Sequence, residues 1–295
     1  MSRAGWASLR GVRLFLIAYL SVVLMLSLFE RWLVFPAPSR KSADWVAADL
    51  PHEDVNFTAD DGTKLHGWYV PHESPRAVVL FSHGNGEHVA RLAPILKLLH
   101  DQAEVSTFAW DYRGYGQSKG KPHEANLIAD ARAAQLWVAE RAGVRPEDVV
   151  LYGRSLGGAV AVGLAAEHPV RGLILERTFA ELTETAAYHF PWLPVRWLMK
   201  NRFPSAERIA AYQGPLFQSH GTLDEVVPFA MGQRLFDAAT TPDKRLFVVE
   251  GGDHNGPQPE EYYEALGEFL DSLPEVGDSA EANDPQDDRG ELIPR

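Results

Sequence analysis

The stretch Val149-Val150-Leu151-Tyr152-Gly153-Arg154-Ser155-Leu156-Gly157-Gly158 decides the fold. Four residues of high strand preference run into a Gly-x-Ser-x-Gly turn, and the small-residue run 159–166 that follows reads as a buried helix. In a strand, tight turn and helix of this kind, the serine occupies a strained backbone position. Glycines two before and two after it relieve the crowding, and its hydroxyl is lifted above the strand end. The N–H of Leu156, at the start of the helix, is then aimed at an oxygen bound beside Ser155. Gly-x-Ser-x-Gly also occurs by chance in glycine-rich loops, so the flanking strand and helix carry the reading of Ser155 as a nucleophile.

A serine hydroxyl is a poor nucleophile until a base takes its proton, and the base needs an acid to hold its tautomer. The run 216–224 is a strand leading to a turn, which places Asp224 at the carboxyl edge of the sheet. The run 246–250 leads into Gly251-Gly252-Asp253-His254-Asn255, which does the same for His254. Asp224 has bland competitors. It can stabilise its own turn, Glu225 stands beside it, and Glu176 ends an earlier strand. Among the histidines, His220 and His83 also lie near strand ends and are read as orienting their loops, which leaves His254 as the base.

A second donor to a bound oxyanion is expected from Phe81-Ser82-His83-Gly84-Asn85-Gly86, where glycines on both sides let the Asn85 N–H approach a substrate. The bland reading of that run is an ordinary glycine turn. His83, Glu87 and His88 do not form His-Glu-x-x-His, so no metal is implied. Asp111-Tyr112-Arg113-Gly114-Tyr115-Gly116 has Lys119 where a dinucleotide fingerprint needs its third glycine, and reads as a structural loop. The run 153–158 lacks the Gly-Lys-Ser/Thr ending of a phosphate loop. No cofactor is expected.

Around these motifs, short β-rich runs alternate with amphipathic segments, the pattern of an α/β sheet. Strands are expected at 55–57 and 64–70, a hairpin about Asp61-Gly62, and at 77–82, 105–111, 149–153, 173–176, 216–220 and 245–250. Helices are expected at 124–141, 156–167, 229–239 and 259–273. The aromatic-rich segment 180–212, with Tyr188, Phe190, Trp192, Trp197 and Met199, reads as a cap. No internal repeat is found.

Residues 14–29 form an uninterrupted apolar run, preceded by Arg3, Arg10 and Arg13. It is slightly short of the roughly 20 residues that cross a bilayer, yet residues 32–35 extend it, and Trp6 and Trp32 suit the two interfaces. The expected layout is an anchor over 1–35, a linker over 36–50, a catalytic domain over 51–273 and an acidic disordered tail over 274–295. A cleaved signal peptide is the competing reading of 1–35, although Phe35-Pro36-Ala37-Pro38 is a poor cleavage site. The arginine balance around the span is nearly even, with Arg31, Arg40 and Lys41 following it. The free amino terminus tips it towards an extracytoplasmic catalytic domain.

The chain has 295 residues, enough for one large core. Its formal net charge of −12 excludes a nucleic-acid partner, because phosphate binding needs concentrated Lys and Arg. The absence of cysteine removes disulfides, thiolate nucleophiles and zinc–thiolate sites, and leaves the redox compartment unreadable.

Taken in order, residues 82–87, 111–116, 153–158, 220–228 and 252–255 resemble the motifs of the α/β-hydrolase superfamily, over roughly residues 55–273. More narrowly the chain is similar to the single-span abhydrolase branch related to serine aminopeptidase-like and membrane-associated acyl hydrolases. That resemblance implies an eight-stranded, mostly parallel sheet whose second strand runs antiparallel, flanked by helices, with a short helical cap. It implies hydrolysis of an ester, thioester or related acyl bond of a small-molecule or lipid substrate. Relatives that are lipidated carry cysteines near the amino terminus and this chain has none, so its attachment must rely on the apolar span. A noncatalytic membrane-tethered binding module of the same fold and a peptidase acting on short peptides are the alternatives. Glu181 and Glu184 are the few acidic anchors in the cap for a peptide amine.

Overall fold

The computed structural model describes residues 3–38, 45, 47 and 49–277, with side chains from residue 10 onward. Most of the expected linker and the acidic tail from residue 278 lie outside the described residues, as does the side chain of Trp6.

Eight strands form one sheet in the order β1-β2-β4-β3-β5-β6-β7-β8. They are β1 (Glu53–Thr58), β2 (Lys64–Val70), β3 (Val78–Ser82), β4 (Ser106–Asp111), β5 (Val150–Arg154), β6 (Gly172–Glu176), β7 (Leu216–Gly221) and β8 (Lys244–Val249). β2 runs antiparallel to both β1 and β4, and every other pairing is parallel. β3, β4, β5 and β6 are buried along their whole length, which explains why they read as continuous apolar runs rather than alternating ones. β8 lies at the sheet's edge and is half-exposed.

One face of the sheet carries α4 (Glu124–Ala142), α5 (Leu156–Glu167), α8 (Ser205–Ile209) and α9 (Phe229–Ala238). The other carries α3 (Ala93–Gln102) and α10 (Glu260–Asp271). Each full burial of a large side chain such as Phe81, Trp110 or Leu164 contributes about 1.5–3 kcal/mol, so these two layers dominate the stability. α5 is buried from Leu156 to Ala165, and its Ala, Gly and Val side chains let it lie close on the sheet. α3 is a helix that the sequence reading did not name.

Two helices precede the domain: α1 (Arg3–Leu28), whose apolar length is almost wholly exposed, and α2 (Glu30–Val34). The chain enters the body at once after them. Glu30 is buried, and Phe35 packs edge-on against Phe203 with ring centres 6.4 Å apart. The cap contains α6 (Leu182–His189) and α7 (Val195–Leu198). From Phe203 onward the segment returns to the body, where α8 lies against α5 and α9.

Candidate active site

Ser155 sits between β5 and α5 with φ +52° and ψ −117°, a region that costs a non-glycine residue about 1–3 kcal/mol. The surroundings hold it there. Its N–H donates to the Glu176 carbonyl at 2.8 Å, and its own carbonyl accepts from the Gly158 N–H at 3.0 Å and from Thr178 Oγ1 at 2.7 Å. The glycines are steric requirements. A Cβ on Gly153 would lie 2.3 Å from the Gly157 carbonyl oxygen, and one on Gly157 would lie 1.9 Å from the Ser82 carbonyl oxygen.

Ser155 Oγ is 3.1 Å from His254 Nε2, and His254 Nδ1 is 2.7 Å from Asp224 Oδ2. β7 and β8 deliver these two partners. Their loops are joined where the Leu223 N–H donates to the Gly252 carbonyl at 2.9 Å and the Thr222 N–H to that of Val249 at 3.0 Å. Asp224 Oδ1 accepts from the N–H groups of Val226 at 2.9 Å and Val227 at 2.7 Å. Burial favours the neutral acid, yet hydrogen bonds from His220 and His254 outweigh it and hold the Asp224 carboxyl well below the usual carboxylate range. An ionised carboxylate only accepts, so Nδ1 of His254 carries the proton and Nε2 faces Ser155 with its lone pair.

The loop after β3 lies against the serine, since a Cβ on Gly84 would meet Ser155 Cβ at 3.7 Å. Asn85 is fixed through its side chain. Oδ1 accepts from Tyr115 Oη at 2.7 Å, and Nδ2 donates to the Val34 carbonyl at 2.7 Å. Tyr112 Oη donates to the His83 carbonyl at 2.5 Å. The loop 111–116, read from sequence only as structural, thus shapes the loop that carries Asn85.

The family described as serine aminopeptidase, S33, matches residues 73–208, a span that holds Asn85, Ser155 and Leu156 and ends before Asp224. An uncharacterized protein of Mycobacterium tuberculosis is 42% identical over 226 residues, covering 76% of this chain and 78% of that protein. The chain belongs to the α/β-hydrolase superfamily. Within it, this chain is a serine hydrolase. The human alpha/beta hydrolase domain-containing protein 17B is 36% identical over 202 residues, 68% of this chain and 66% of that protein. The solved structure of the Pyrococcus furiosus esterase Pf2001 superposes with a TM-score of 0.65 at 24% identity, over 80% of this chain and 97% of that one.

The competing acids of this hydrolase stand apart from this line of contacts. Glu176 accepts from Tyr152 Oη at 2.6 Å and lies 3.4 Å from Arg154 Nε, and Glu225 is exposed. His220 donates from Nε2 to the Val227 carbonyl at 2.8 Å and stands 3.4 Å from Asp224 Oδ2, bracing the acid's turn. His83 is fully buried, and burial pushes its pKa down, so it stays neutral with Nδ1 2.7 Å from the Gly84 carbonyl. Among the described residues no cluster of ligands suits a metal ion.

The sequence reading missed the arginines beneath the site. Arg154 Nη1 donates to Glu87 Oε1 at 2.5 Å, while its Nη2 reaches the His254 carbonyl at 3.2 Å. Arg177, completely buried at φ +49°, donates from Nη1 to the carbonyls of His254 at 3.0 Å and Gly256 at 2.6 Å. Glu87 in turn accepts from the Gly84 N–H at 2.8 Å. An arginine beside the candidate nucleophile Ser155, with a carboxylate three residues beyond Gly84, was the available signal. Only the fold brings them together.

Proposed function

We propose that the protein is a membrane-anchored serine hydrolase that cleaves an ester, thioester or related acyl bond through an acyl-enzyme. The observation that carries this reading is the line of contacts from Ser155 Oγ through His254 to Asp224, with the serine on a strained turn. His254 Nε2 takes the hydroxyl proton as Oγ attacks the carbonyl carbon, and ionised Asp224 stabilises the imidazolium. The N–H groups of Leu156 and Asn85 receive the oxyanion. His254 then protonates the leaving group, and water repeats the cycle to free the acid and restore Ser155.

Ester-type bonds are favoured over peptides by the state of the cap. Glu181 is paired with Arg202 at 3.0 Å, and Glu184 is paired with Arg234, so both acidic anchors for a peptide amine are taken. The Pyrococcus neighbour, an esterase, points the same way. Turnover of a series of aryl esters and thioesters of rising chain length, set beside amino-terminal peptide amides, tests it. Cleavage of the amides alone rejects the ester reading.

The anchor is the apolar helix Arg10–Leu28, 19 residues and about 28 Å long at 1.5 Å per residue, close to the hydrocarbon thickness. Retention rather than cleavage is supported by its continuation. Glu30 Oε1 accepts from the N–H groups of Lys200 at 2.8 Å and Asn201 at 3.0 Å, and Phe35 fills the body beside Phe203, so release of residues 1–35 would strip packed side chains from the domain. The domain is assigned to the extracytoplasmic side, and proteolysis of intact spheroplasts checks that side.

A further inference from the structure

The cap ends in a tip, residues 190–199, that has an unusual surface. Phe190 and Trp192 are exposed, and Trp197 is 90% exposed, beside Tyr188 at the end of α6. Four large aromatic rings held out in water are costly unless something apolar covers them. The charge of the same segment is equally distinct. In a chain with 40 acidic and 28 basic residues, positions 185–206 contain Arg196, Lys200 and Arg202 and no Asp or Glu. Arg202 is paired with Glu181, whereas the side-chain charges of Arg196 and Lys200 have no carboxylate partner among the described residues.

A contact with the first helix says what covers the tip. Tyr19 Oη donates to the Trp192 carbonyl at 2.9 Å. Tyr19 lies in the middle of the apolar helix, nine residues from Leu28, which is about 13 Å along the helix axis. If that helix crosses a bilayer, the tip bonded to its midpoint lies within the apolar layer or at its margin. A tyrosine hydroxyl and a peptide carbonyl at such a depth need each other, because hydrocarbon offers neither a partner. The tip is also poor in unmet backbone donors. Pro191 and Pro194 have none, and the N–H groups of Phe190, Leu193, Trp197, Leu198 and Met199 all bond within the cap.

We propose that residues 190–199 form a second membrane element, a wedge seated in the leaflet at which α1 ends. Its rings lie among the acyl chains of that leaflet, and the Arg196 and Lys200 side chains extend towards anionic lipid phosphates. This rests on the anchored reading above and deepens it. The wedge borders the site on the acid's side, where His189 Nε2 is 2.8 Å from the Val226 carbonyl, two residues after Asp224. The helix end borders it on the other side through Val34 and Asn85. The catalytic mouth is therefore held at the lipid surface by two contacts, and its acyl substrate is presented from that leaflet.

The absence of cysteine makes single labels unambiguous. The full chain carrying Trp197→Cys or Phe190→Cys, and separately Leu20→Cys within the span, is labelled with an environment-sensitive fluorophore. Each is reconstituted in phosphatidylcholine vesicles with and without phosphatidylglycerol. The wedge predicts that both tip labels are blue-shifted and quenched by brominated lipid, as the Leu20 label is. Quenching at the tip should rise with phosphatidylglycerol and lose that rise when Arg196→Glu and Lys200→Glu are combined. A quenched Leu20 label with tip labels open to aqueous iodide overturns the wedge and leaves the anchor standing. Failure of lipid to quench the Leu20 label removes the anchor and the wedge together. None of the three labels depends on turnover, so the hydrolase reading is judged separately.

Discussion

Arg154, the residue immediately before Ser155, holds Glu87 at 2.5 Å on one side and the His254 carbonyl at 3.2 Å on the other. Through Glu87 it reaches the Gly84 N–H, so one guanidinium ties the loop carrying Asn85 to the loop carrying His254. A displacement of either loop changes the distance from Ser155 to His254, the placement of the Asn85 amide, or both.

Arg154→Lys keeps the charge but loses the planar fork that serves both loops. We expect kcat to fall by about tenfold or more with KM little changed, because geometry at the reacting atoms is altered rather than ground-state binding. Arg154→Ala removes the guanidinium shared by the buried Glu176 and the partly buried Glu87 and should destabilise the fold by about 3–5 kcal/mol. Steady-state kinetics and denaturant melts separate the two effects.

Asp224→Asn should reduce kcat by about 10⁴, since an amide no longer enforces the tautomer with the proton on Nδ1. The sign with pH follows from the lowered carboxyl pKa. The contribution of ionised Asp224 is complete above the ordinary carboxylate value and is lost only as pH falls through the lower folded value. Raising pH therefore should not rescue the Asn variant, and a pH–rate profile of wild type and variant checks this.

Gly157→Ala places a methyl 1.9 Å from a backbone oxygen of the β3 strand end, where no flexible side chain can give way. The turn has to open. Loss of more than about 3 kcal/mol of stability or loss of soluble protein is expected, and thermal melts measure it.

His66 bridges two carboxylates, with Nδ1 2.8 Å from Asp111 Oδ2 and Nε2 2.8 Å from Asp54 Oδ1. Burial opposes the imidazolium, yet the hydrogen bonds to Asp111 and Asp54 raise its pKa overall. A raised pKa contributes stability that is complete below the ordinary value near 6.5 and lost as pH rises through the folded one. The melting temperature should fall on going from about pH 6 to about pH 9, and His66→Gln should flatten that slope.

The fold was legible because each buried strand is a run of apolar residues bounded by turn chemistry, and strand ends fell within one residue of the structure except at β1, which extends two residues further at its start. The convergence of Ser155, His254 and Asp224 was legible for a related reason. Ser155 follows β5 directly, Asp224 and His254 stand in the loops that leave β7 and β8, and parallel strands deliver their carboxyl ends to one edge. The connections beneath the site were hidden because they join residues distant in sequence. Glu87 and Arg154 stand 67 positions apart, and Arg177 and His254 stand 77 apart. The docking of α2 was equally hidden, since the apolar pattern of residues 30–35 suits a membrane span as well as it suits burial of Glu30 and Phe35 in the body.

The central claim is that Ser155 is a nucleophile whose proton is taken by His254. Mass mapping of the folded protein after exposure to a fluorophosphonate measures it most directly. The account predicts a single adduct on the peptide that contains Ser155, absent in Ser155→Ala and formed at least about a hundredfold more slowly in His254→Gln. Hydrolysis retained by Ser155→Ala, or an adduct on a different serine of the wild type, would contradict it.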